Sequence, residues 1–121
     1  MADLWRDDLV NFALDQDMLR QMEEQKQWIA REPDNARPYY QLGLFYRMQY
    51  KAEAALGLLL ESVRLDAAFA PAHHALAEMY AVAGDYGAAW RHARLAEGLG
   101  DARAVEMLRR HGVNEPISSS A

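Results

Sequence analysis

At 121 residues, with 51% hydrophobic and 26% charged side chains, the chain has the balance of one small folded domain and not of a disordered segment. Its formal net charge of -5 argues against a general nucleic-acid role, because phosphate binding needs a basic surface. The absence of cysteine excludes a disulfide framework, a thiolate zinc site and a cysteine nucleophile.

Abundant Ala, Leu, Arg and Glu, with scarce Val and Ile, favour helix over strand throughout. The opening residues Met1 to Asp8 are acidic and no apolar run follows them, so neither a secretory signal nor a transit peptide is expected. No stretch approaches the roughly 20 apolar residues of a membrane span, and the cytoplasm is the expected location. Residues 2–35 are expected to form a degenerate hairpin, with helices near 3–14 and 17–31; a single bent helix is the alternative. Leu9, Gln21 and Trp28 are too large for a close crossing there, so such a pair should pack at its own angle or distance.

Further along, Pro38 suits a first helical turn, and Tyr39, Leu42 and Tyr46 continue from it at helical spacing. A partner helix is expected from Ala52 to Leu65, and another from Ala70 to Ala83. Gly84-Asp85 reads as the next turn, Tyr86 to Glu97 as a helix, and Gly98 with Gly100 as its end. Residues 102–111 read as a capping helix, with Val105 and Leu108 covering Leu95 and Trp90, and Arg109, Arg110 and His111 outward. The expected domain is 1–112, with 113–121 a flexible tail.

Sliding the sequence by 34 residues aligns Ala36 with Ala70, Leu42 with Leu76, Gly43 with Ala77, Tyr46 with Tyr80, Ala55 with Ala89 and Ser62 with Ala96. Small residues fall on small and aromatic on aromatic, which defines repeats 36–69 and 70–103. Two antiparallel helices pack closely only where side chains are short, so Gly43 with Ala55 and Ala77 with Ala89 are placed at the crossings. So short a pair cannot bury its apolar faces alone and must stack on neighbours.

These units resemble the tetratricopeptide repeat, whose 34-residue pattern is W-x2-L-G-x2-Y, then A-x3-F, then P. Tyr39, Leu42, Gly43 and Tyr46, followed by Ala55 and Leu59, match the first unit; His73, Leu76, Ala77 and Tyr80, then Ala89 and Ala93, match the second. Ala67 and Asp101 stand where the family has proline. The resemblance implies an all-α, antiparallel helix-hairpin solenoid of about three hairpins plus the capping helix. It also implies a non-catalytic module that binds a partner protein or peptide along a concave groove. In family terms that groove would show Arg37, Tyr40, Leu44, Arg47 and Met48 from the first unit and His74, Glu78, Ala81 and Val82 from the second, with Arg6, Val10 and Leu14 from the N-terminal segment. Glu78 occupies one of the places that hold a carboxylate clamp in some members, and its charge would repel a partner's C-terminus.

Catalytic motifs are missing: there is no phosphate loop, no G-x-S-x-G elbow and no H-E-x-x-H pair, and the only hydroxyls on serine are Ser62 and Ser118 to Ser120. Adjacent His73 and His74 point about 100° apart on a helix and do not chelate, so neither metal nor cofactor is expected. The carboxylates of Asp7-Asp8 and Glu23-Glu24 read as solvated faces. The alternative to a peptide-binding adaptor is a self-associating subunit, a homo-oligomer. Residues 1–35 carry nine acids and four bases, residues 86–112 five bases and three acids, and Trp5 and Trp28 add apolar surface.

Overall fold

The computed structural model describes the backbone of residues 2–117 and the side chains of residues 9–117. Its elements are α1 (Ala2–Arg31), α2 (Ala36–Met48), α3 (Ala52–Leu65), α4 (Ala70–Val82), α5 (Tyr86–Gly98) and α6 (Arg103–Arg110), with no strand among the described residues. The helices α2 and α4 begin and end 34 residues apart, and so do the starts of α3 and α5, so the sequence period is also the structural one.

Pairs α2–α3 and α4–α5 form hairpins, α4 stacks on α3, and α6 closes the end against α5 and α4. The exits of α2, α4, α5 and α6 use the same device. The N–H groups of Lys51, Asp85, Asp101 and Val113 donate to the carbonyls of Tyr46, Tyr80, Ala96 and Leu108, and the residue before each donor has a positive φ. That is the six-to-one closure that satisfies orphan carbonyls at a helix end. Gly84, Gly100 and Gly112 take the left-handed position in three of these turns; Tyr50, at φ 61°, takes it in the fourth.

Small residues set the helix spacing. A Cβ on Gly43 would lie 3.1 Å from Leu59 Cγ and 3.4 Å from the Ala55 carbonyl oxygen, which places the α2–α3 crossing there. Two apolar clusters hold the stack. Leu59, Ala75 and Leu76 join the first unit to the second; Ala77, Ala89, Trp90, Ala93, Val105 and Leu108 join the second to α6.

Position equivalence extends to polar side chains. Tyr39 donates its hydroxyl to the Pro33 carbonyl at 2.8 Å; its counterpart His73 reaches the Ala67 carbonyl, also at 2.8 Å. His73 is buried and its Nδ1 lies 3.0 Å from Nδ1 of His92, so with His73 Nε2–H donating to Ala67, His92 supplies the proton between them. Ser62, also fully buried, donates to the Ala36 carbonyl at 2.9 Å.

Three expectations need correcting. The segment 2–35 does not form a hairpin of helices 3–14 and 17–31; Ala2–Arg31 is one continuous 30-residue helix, as the single-helix alternative has it. It contains no glycine or proline; Asp17, near the expected turn, instead bonds forward to Arg20 and Gln21 within the helix. The first proline, Pro33, comes two residues after the helix ends. Residues 113–115 are not free tail: the Val113 carbonyl accepts from Trp90 Nε1 at 3.1 Å, and Glu115 accepts from Arg94 Nε at 2.9 Å. The end of the expected tail, residues 118–121, lies outside the described residues. Leu95 is 47% exposed, so α6 covers Trp90 but leaves Leu95 open.

Among the described residues, α1 packs on α2 alone, as α3 packs on α4 and α5 on α6. It therefore packs against α2 in the place that the second helix of a preceding hairpin would take. Its packed face is Met18, Met22, Gln25 and Ile29, with Gln49 of α2's end donating to Met22 Sδ at 3.4 Å.

Candidate functional site

The helices α2, α4 and α6 share one side of the molecule, since α4 touches both of the others. Near their C-terminal ends, a hollow of about 380 Å³ is lined by Arg47, Glu78, Ala81, Val82, Tyr86, Met107 and His111, among others. A second hollow of about 420 Å³ adjoins it through Arg47 and Val82, and adds Tyr50, Ala52, Met79 and Ala83.

The side chains expected to line a groove divide into three groups. Arg47, His74 and Glu78 meet: Arg47 Nη1 donates to Glu78 Oε1 at 3.3 Å and His74 Nε2 lies 3.2 Å from the same oxygen. Glu78 therefore does not present a bare negative charge; Arg47 offsets it. Tyr40 and Leu44 are half-buried against the Leu59–Leu76 cluster, with Tyr40 set edge-on to Phe69 at 5.3 Å between ring centres. They form the wall between α2 and α4 more than an open floor. Burial pushes the Tyr40 phenol above its ordinary pKa, against the opposing pull of Arg103. Met48 and Val82 stand open at 64% and 87% exposure, Val82 on the rim that joins the two hollows. Arg37 is exposed at the other end of α2, beside its N-cap Asn35, and lines neither of these hollows. Of the N-terminal residues proposed for the groove, Val10 and Leu14 lie on α1 and are exposed, and the Arg6 side chain lies outside the described residues.

At the α6 end, Asp101 accepts from both the backbone N–H and the guanidinium of Arg103, and those hydrogen bonds hold its carboxyl down at about 2. Asp101 and Arg103 thus form a fixed charge pair at the start of α6.

Sequence reasoning missed Tyr50. It is 95% exposed, lines the larger hollow and adopts a left-handed conformation that costs an L-residue on the order of 1 kcal/mol. Glycine occupies the equivalent position, Gly84, 34 residues on. The repeat offset carried the signal: a bulky aromatic stands where the turn favours glycine.

Among the described residues no group of three or more metal-binding side chains comes together, and no helix is long and apolar enough to cross a membrane. No protein-family model matches the chain, and no curated protein matches it.

Proposed function

We propose that the chain is a tetratricopeptide-like repeat protein of the cytoplasm that binds a peptide or helix of a partner protein and catalyses no reaction. The partner's apolar side chains enter the two hollows at the C-terminal ends of α2, α4 and α6. The 34-residue period, the close Gly43 crossing and the repeated helix exits support the family reading. One observation carries the site: Tyr50 keeps a strained backbone and an almost fully exposed ring beside exposed Val82, above a mainly apolar hollow. Strain retained with no packing return is characteristic of binding sites. Exposed Tyr, Met and Arg are the residue types that interfaces favour.

The test is selection of binders from a displayed peptide library, followed by affinity measurement on variants. Val82→Glu weakens selected peptides at least tenfold and leaves the melting temperature unchanged, since Val82 packs on little. Wild-type affinity in that variant rejects this site. Self-association is a second reading, favoured by the exposed apolar half of α1, and it leaves the hollows free.

A further inference from the structure

The half of α1 that projects beyond its packing on α2 leaves Leu9, Val10, Phe12, Leu14 and Leu19 exposed. Leu9, Phe12 and Leu19 are 52%, 62% and 49% exposed. With Gln16 they follow spacings of three, four and three residues, the seam of a coiled coil with Leu9 and Gln16 at a positions and Phe12 and Leu19 at d positions. Trp5 continues the same register four residues earlier in the sequence. At about 100° per residue, this seam points roughly 130° away from the Met18, Met22, Gln25 and Ile29 face that holds α2. A second helix along the seam therefore meets no part of the repeat body.

We infer that the occupant is the same seam of a second copy, running parallel, so that two chains join through a short two-stranded coiled coil with their repeat bodies on opposite sides. This rests on the self-association reading and not on the peptide-binding one. Two features select the parallel arrangement. Asp15 falls at a g position and Arg20 at the following e position, so a parallel pair sets each Asp15 against the other chain's Arg20. An antiparallel pair that stacks Leu9 on Leu19 would set Asp15 against its own counterpart. Arg20 is free to make the new contact, because its present partner Asp17 forms only an exposed pair within the helix. Gln16 gives the second reason. In parallel, the two Gln16 amides face each other and hydrogen-bond; in antiparallel, each would be buried against Phe12 with no partner. A lone polar a position of this kind fixes register and strand number.

The full chain is tested by sedimentation equilibrium over a hundredfold concentration range. The expected result is a rise to twice the chain mass. Leu9→Glu with Leu19→Glu returns the single-chain mass at every concentration, with helical signal and melting temperature of the repeat body retained. Because the chain has no cysteine, Leu9→Cys reports orientation: in a parallel pair it faces its own copy and forms a covalent dimer on oxidation, whereas in an antiparallel pair it faces Leu19, about 15 Å along the axis from its copy; Val10→Cys, off the seam, crosslinks far more slowly. A single-chain mass throughout overturns self-association altogether. A dimer that survives the double glutamate variant, as a head-to-tail contact would, overturns the seam. Equal crosslinking at Leu9→Cys and Val10→Cys overturns the parallel arrangement.

Discussion

Gly43 and its repeat counterpart Ala77 differ by one methyl, and the crossings around them differ to match. Gly43 faces Leu59, whose equivalent in the second unit is Ala93. Where the first unit puts the bulk on α3, the second takes one methyl on each helix, Ala77 and Ala93 both fully buried. Gly43→Leu should therefore destabilise the fold by about 1–3 kcal/mol through overpacking, measured by urea denaturation. An unchanged midpoint would mean the helices separate there without penalty. Tyr50→Gly should act in the opposite direction. Removing a left-handed tyrosine whose ring packs on almost nothing should raise stability by about 0.5–1 kcal/mol. The same variant should weaken partner binding. A loss of stability would show that the Tyr50 ring contributes packing to the fold.

Among the elements, α2 to α5 were legible because their small and aromatic residues recur at one offset, and the helix breaks coincide with Gly84 and Gly100. For α1 the hairpin expectation extended the repeat pattern onto residues 2–35, which have no glycine or proline between the expected helices, and the single-helix alternative is the one the chain adopts. Local chemistry decided that case: a turn needs a residue able to leave the helix, and residues 13–18 offer forward-bonding Asp17 instead. The docking of Val113 and Glu115 was hidden for a different reason, since it depends on where the Trp90 and Arg94 side chains reach, which spacing does not reveal.

The α4–α5 pairing also carries a pH dependence. His92 of α5 stacks on Tyr80 and His73 of α4, and burial, together with the neighbouring His73 and Arg91, lowers it to about 4. Between about 4 and the unfolded value near 6.5, the unfolded chain takes up a proton that the folded chain refuses. Stability is therefore full above that window and falls as pH drops through it. His92 is only partly buried, so the loss is on the order of 1–2 kcal/mol after solvent screening. Melting temperatures from pH 7 down to 4.5 should fall in the wild type and fall less in His92→Gln. Parallel profiles would remove His92 as the cause.

For the whole molecule, the stacked helices place two surfaces far apart in role: hollows at one end of α2, α4 and α6, and the open seam of α1. Of the expected groove residues, the repeat pattern led to Arg47, His74, Glu78 and Val82, which the fold gathers, because helical spacing fixes which residues share a face. It also named Tyr40 and Leu44, which are half-buried between neighbouring helices; spacing marks a face but not how closely the next helix covers it.

The central claim is that partner recognition occurs at the C-terminal ends of α2, α4 and α6. The most direct test is titration of the isotopically labelled chain with a selected peptide, followed by NMR. The predicted result is shift changes concentrated at Arg47, Tyr50, Glu78 and Val82, with α3 silent beyond its first turn at Ala52. Changes confined to α1 or α3, with those four residues unmoved, would contradict the account.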